Sequence, residues 1–174
     1  MRYLIVCGGK IDKEFGLNEI KTDGIDAIIA ADSGMDFLYE NGVTPDIIVG
    51  DFDSATTKAL EFFERKGQTE IHRLNPIKDD TDTEYAIRLA IREGARSIVL
   101  LGATGSRIDH VLGNISLLGI GLESGTDISI IDTNNRIRMA DRPVTIEKSA
   151  QYGRFVSLIA VTDDNEVSLR GFKY

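Results

Sequence analysis

Short apolar runs and stretches of helical apolar spacing alternate along most of the chain. Runs at 4–7, 26–31, 46–49, 71–74 and 97–101 have the length and composition of strands. Between them, 34–40, 56–66, 83–93 and 109–122 read as helices. In the third, Ala86, Leu89, Ala90 and Glu93 recur at helical spacing. Strands alternating with helices predict βαβ units, a mostly parallel sheet and right-handed crossovers. A further run, 127–131, reads as the last strand of that sheet.

From 134 onward the pattern changes. Runs at 137–139, 144–147, 155–160 and 167–169 read as strands separated by turns, with Asp163-Asp164-Asn165 as a hairpin turn. The expected fold class is α/β. A Rossmann-like, mostly parallel sheet domain over 1–133 is followed by a small, incomplete β-sandwich over 134–174. So few strands are marginal alone. The second unit is therefore expected to pack on the first or on another subunit, and the chain is expected to be a truncated product.

The 174 residues suffice for one large domain or a domain with an appendage. With 28 acidic and 20 basic residues the net charge is −8, which argues against a nucleic-acid surface. It leaves room for a phosphate ligand accompanied by a cation. No apolar stretch is long enough to span a bilayer, and the first nine residues read as a strand rather than a signal peptide. The single cysteine, Cys7, excludes an internal disulfide and suits a cytoplasmic protein. It reads as a small buried residue of the first strand.

Candidate chemistry gathers where the apolar runs end, which in such a sheet is where ligands bind. Asp51-Phe52-Asp53 follows the third run. In extended chain its two carboxylates share a side and form a candidate Mg²⁺ pair. Ser54 is placed to cap the next helix. Lys78-Asp79-Asp80-Thr81-Asp82-Thr83-Glu84 precedes a helix. Thr81 and Glu84 have capping-box spacing, which leaves Asp79 and Asp82 unexplained by capping. Asp82 is a candidate to bind metal or orient a hydroxyl, and Lys78 to neutralise a phosphate.

Gly102 to Arg107 is a strand-to-helix turn of small residues whose N–H groups can hold phosphate, with Arg107 as a bidentate donor. It is neither a Walker A loop nor a GxGxxG fingerprint. Asp109 suits a metal or a helix cap, and His110 and Asn114 share a helix face. Asp32, after the second strand, suits ribose, metal, substrate or a cap. One cysteine and two histidines argue against zinc. No spacing specifies a nucleophile, so the chemistry implied is metal-assisted transfer between bound partners.

Four blocks in order resemble the thiamine pyrophosphokinase (thiamine diphosphokinase) family. They are Ala31-Asp32-Ser33-Gly34; Pro45-Asp46 with Gly50-Asp51-Phe52-Asp53-Ser54; Lys78 to Glu84; and Gly105-Ser106-Arg107-Ile108-Asp109-His110 with Asn114. The resemblance implies a reaction in which ATP and thiamine give AMP and thiamine diphosphate with Mg²⁺. It also implies a homodimer with active sites between subunits. By the same resemblance Asp51, Asp53, Asp79 and Asp82 hold metal, and Asp82, Asp79 and Arg107 are catalytic. Asp32, Ser54, Lys78 and Thr81 would bind ATP. Gly105, Arg107, Asp109, His110 and Asn114 would bind it as well.

Ser33 and Ser106 stand where the family usually carries glycine. Family members also continue past Tyr174 into further strands and a Ser-Asn segment that helps hold thiamine. A pyrophosphokinase for another alcohol (a hydroxymethylpterin, for example), a metal-dependent phosphohydrolase and a non-catalytic nucleotide-binding module remain as alternatives.

Overall fold

The computed structural model describes residues 1–52, 57–75 and 80–172. Its centre is β1 (Arg2–Val6), a buried apolar strand flanked on both sides by parallel neighbours, β2 (Ala27–Ala31) and β5 (Ser97–Leu101). The chain runs outward through β2, β3 (Ile47–Gly50) and β4 (Glu70–Arg73), then returns to the other side of β1 as β5, followed by β6 (Asp127–Ile131). The order is β4-β3-β2-β1-β5-β6-β7, the last being Arg136–Arg138. The direction of winding thus reverses between β1 and β5, and the crevice beyond that reversal is where doubly wound sheets bind ligands.

Side chains alternate across this sheet and build two cores. Tyr3 and Ile5 of β1, Ile29 of β2, and Ile98 and Leu100 of β5 face one layer. That layer is covered by α4 (Asp82–Arg92) and α5 (Ile108–Ser124), through Ile87, Leu89 and Leu118. Leu4 and Val6, Ala30, Val99 and Leu101 face the opposite layer. There α2 (Gly34–Glu40) contributes Met35 and Leu38, and α3 (Thr57–Lys66) contributes Ala59 and Phe63. Central strands buried on both faces need continuous apolar sequence, as Leu4-Ile5-Val6 and Ile98-Val99-Leu100-Leu101 have. The outer strand β4 carries charge at both ends, as an exposed edge does.

The structure departs from the sequence pattern in two places. An unforeseen helix, α1 (Lys13–Ile20), follows β1; Asp12 caps it by accepting the Phe15 N–H at 2.9 Å. Its apolar stripe is thin, so the cap was the readable signal.

The second departure is after β6. The run expected at 137–139 as part of a separate unit forms β7 (Arg136–Arg138), which joins the main sheet antiparallel to β6. The strands expected at 144–147, 155–160 and 167–169 do not form, and among the described residues beyond β7 the only regular element is a 3₁₀ turn, Lys148–Ala150. The β-sandwich expected over 134–174 is therefore not assembled among these residues. Residues 162–165 do make a local turn, with Thr162 Oγ1 donating to Asn165 Oδ1 at 3.3 Å, but no strands flank it. The physical reason is the lack of a partner: Phe155 and Ile159 are 81% and 85% exposed. An isolated strand cannot offset its ordering entropy.

Close backbone approach fixes the carboxyl edge of the sheet. A Cβ on Gly34 would lie 1.9 Å from the Val6 carbonyl oxygen, so α2 starts directly against the end of β1. Gly34→Ala should lower unfolding free energy by about 2 kcal/mol or more, because backbone must move. Gly113→Ala, with nothing within 4 Å of the new methyl, should raise it by up to about 1 kcal/mol. Urea denaturation of both variants checks the pair.

Candidate active site

Three carboxylates converge at the carboxyl edge. Asp32 follows β2, Asp51 follows β3, and Asp82 is the first residue of α4; one oxygen from each lies within 4.8 Å of the other two, and all three residues are half-buried. The placement is built from backbone. The Asp32 N–H donates to Val49 O at 2.8 Å, carrying the β2–β3 pairing one residue past the strand. Thr81 caps α4 by accepting the Glu84 N–H at 3.1 Å, which holds Asp82 at the positive end of that helix.

Two left-handed residues sit at the cluster, one a member of it and one next to Asp51. Asp32 has φ 48° and Phe52 has φ 61°, the non-glycine residues with positive φ among those described. Aspartate tolerates that region; phenylalanine does so at a cost of about 1–3 kcal/mol. The Phe52 ring is held beneath the Arg73 guanidinium, 5.4 Å away, and Arg73 is paired with Glu64 of α3. The strain turns the chain sharply beside Asp51.

Three like charges this close repel by roughly 3 kcal/mol per pair at an effective dielectric of about 20. A divalent cation converts that repulsion into binding. An all-oxygen, all-carboxylate donor set fits a hard cation such as Mg²⁺.

The remaining expected site residues fall into four groups. Asp53, Ser54, Lys78 and Asp79 lie outside the described residues. Thr81 is the α4 cap. Gly105, Arg107, Asp109 and His110 are exposed on the loop after β5 and the first turn of α5. There the Arg107 guanidinium donates to both oxygens of Asp109 at 3.3 and 2.6 Å. That hydrogen bond holds Asp109 below the usual carboxylate range and raises Arg107. Asp109 and His110 join no metal-type cluster among the described residues. Asn114 lies beneath the loop, its amide donating to Ala103 O at 2.8 Å.

At the end of β1, Cys7 is buried, as its sequence reading expects, but its contact with α4 was not foreseen. The Thr83 hydroxyl, in the first turn of α4, reaches Cys7 Sγ at 3.7 Å. Burial pushes the Cys7 thiol up from 9.0 to about 11, with Thr83 pulling the other way. The only cue was a small residue ahead of Gly8-Gly9.

The comparisons bear on this edge. The family model described as thiamin pyrophosphokinase, catalytic domain, matches residues 21–130. The chain is 36% identical over 148 residues to the thiamine pyrophosphokinase of Bacillus subtilis (strain 168), covering 84% of this chain and 68% of that one. It is similar to the crystal structure of thiamine pyrophosphokinase from Bacillus subtilis, with TM-score 0.68, 32% identity, and 79% of this chain covered. It is also similar to that of thiamin pyrophosphokinase from Geobacillus thermodenitrificans, with TM-score 0.65, 31% identity and 78% covered. The match spans 64% and 61% of those two solved chains, just under two thirds of their length.

Two outcomes are expected. Saturating Mg²⁺ should raise the melting temperature, by several degrees at about a hundred times the dissociation constant. Asp51→Asn should abolish most of that gain while melting no lower than the parent protein in EDTA, since it removes a repulsion. Thermal-shift titration reads both. Separately, Cys7 should resist a disulfide-exchange reagent until urea unfolds the chain. Its raised pKa favours folding fully below about pH 9, and that contribution is lost as pH rises toward about 11.

Proposed function

The chain belongs to the thiamine pyrophosphokinase family, and on that premise we propose that it transfers the diphosphate of ATP to the hydroxyl of thiamine. The observation that carries the reading is the three-carboxylate cluster at the carboxyl edge of a doubly wound sheet, together with the loop after β5. The thiamine oxygen attacks the β-phosphorus, the bond from that phosphorus to the α–β bridging oxygen breaks, and AMP leaves. The hydroxyl proton passes to a carboxylate and then to water.

Asp51 and Asp82, with Asp32 beside them, are the described residues that would hold Mg²⁺; the family resemblance adds Asp53 and Asp79. The ion, when bound, supplies charge neutralisation for the transferred group. Asp82 is assigned to orient the attacking hydroxyl and accept its proton, since it sits at a rigid capped helix start. Arg107 is exposed and already forked onto Asp109, so phosphate binding exchanges one anionic partner for another rather than desolvating a free cation. Positioning and electrostatics supply most of the acceleration.

The reading extends to the assembly. The apolar side chains exposed along 144–169, including Val144, Ile146, Phe155, Leu158 and Ile159, support a homodimer in which 134–174 helps build the thiamine site. A cytoplasmic setting supplies ATP and keeps the lone thiol reduced. No helix among the described residues is long and apolar enough to cross a membrane.

The test is AMP formation from Mg-ATP with and without thiamine, followed by mass detection of thiamine diphosphate. Thiamine-dependent AMP with that product is expected. AMP or ADP released without an acceptor would instead mean a phosphohydrolase, and AMP only with a different alcohol would move the acceptor. Asp82→Asn should cost about a hundredfold or more in turnover; near-normal turnover removes Asp82 from the mechanism.

A further inference from the structure

Asp51 follows directly on Gly50, the last residue of β3, and the space around Gly50 is crowded. A Cβ there would lie 3.1 and 3.2 Å from two carbons of the Phe52 ring and 3.2 Å from the Asp32 Cα. The Phe52 ring therefore folds back over the strand end it follows, close to the backbone of Asp32. Phe52 has φ 61° in this position, a value that so large a residue keeps only where its surroundings impose it.

The restraint comes from β4. Arg73 is opposite Gly50 in the β3–β4 register, and the Leu74 N–H donates to Gly50 O at 2.9 Å. The Arg73 guanidinium lies 5.4 Å from the centre of the Phe52 ring, and Glu64 of α3 pairs with the same guanidinium. The contacts thus run from α3, through an edge strand, to the residue beside Asp51. An ion pair between two exposed side chains contributes little to a fold by itself. Its consequence here is where it puts the ring. Arg73 and Glu64 belong to none of the four sequence blocks.

We propose that Arg73 is a positioning residue for the divalent cation. By holding the Phe52 ring over Gly50, it keeps the Asp51 carboxylate within 4.8 Å of those of Asp32 and Asp82. The proposal rests on the cation reading above. The charge of Arg73 acts in the opposite sense, because a positive group near a cation site opposes cation binding. Removing the side chain therefore separates the two effects by sign: loss of positioning weakens cation binding, and loss of charge alone strengthens it.

The test is Mn²⁺ binding, read from the free-ion signal in electron paramagnetic resonance, with Mg²⁺ as competitor. The variants are Arg73→Ala, Arg73→Lys, Phe52→Gly and the Phe52→Gly/Arg73→Ala double variant. Arg73→Ala should weaken Mn²⁺ binding about tenfold, the scale of losing a group that orients a metal ligand. Its melting temperature in EDTA should fall by no more than about 2 °C, as for an exposed position. Arg73→Lys keeps a cation over the ring and should bind within about threefold of the parent. Phe52→Gly reaches positive φ with no ring to hold it there, and should weaken binding by about the same factor as Arg73→Ala. Adding Arg73→Ala to it should then change affinity less than about twofold, because both act through one contact. Unchanged or tighter Mn²⁺ binding in Arg73→Ala would overturn the proposal. A further tenfold loss in the double variant would overturn it too. A parent protein that binds the ion but makes no AMP with thiamine sinks the reaction, while the binding series still decides this inference. A parent that binds neither Mn²⁺ nor Mg²⁺ overturns the cation reading and this inference together.

Discussion

A methyl group at position 34 would stand 1.9 Å from the Val6 carbonyl, and one at position 9 would stand 2.3 Å from the Gly102 carbonyl. These two contacts bring the ends of β2, β1 and β5 together with no side chain between them. Everything at the carboxyl edge depends on that closeness. It lets Asp32 sit beside Asp51 and Asp82, and it lets the Gly9 N–H hold the first residue of the loop after β5. A wider seam would move the acidic cluster and the loop after β5 apart.

The acidic cluster is unfavourable for the fold by itself. Three mutually repelling carboxylates, a left-handed phenylalanine and a left-handed aspartate all sit at one point. Strain concentrated where local rules predict none is the mark of a functional site. The surrounding structure supports it: apolar strands buried on both faces, the Thr81 cap, and Arg73 over the Phe52 ring. A cation bound there would relieve part of what the fold tolerates, which would link its affinity to stability.

Beyond β7 the balance differs. The chain there has strand-like sequence but no strand to pair with, and its apolar side chains stay in solvent. Among the described residues there, Met139 packs against the core, and the Tyr152 hydroxyl and ring reach back to Asp132 and Arg136. The contrast with β7 is instructive. Arg136–Arg138 is short and two-thirds charged, yet it is ordered as a strand because β6 offers a free edge beside it. Available partners, more than intrinsic propensity, decided which runs became strands.

The sequence by itself determined the α/β class, the six parallel strands and the helices α2 to α5. Buried strands must be apolar, and helices packed on them must be amphipathic, so both leave a local period. It also singled out Asp32 and Asp51 as candidates, because acids after apolar runs fall at strand ends, and Asp82, because it opens a helix whose cap Thr81 already supplies. The family blocks said what such acids could serve. The tertiary structure decided what no local period encodes. It brought the three acids within 4.8 Å of one another, put β7 into the main sheet, and left 144–169 without strands. It also laid β6 beside β5 with Ile131 opposite Leu101, which sets the two loops after them side by side. Contacts of that kind are set by which backbones lie side by side, and a chain read in one dimension carries no record of it.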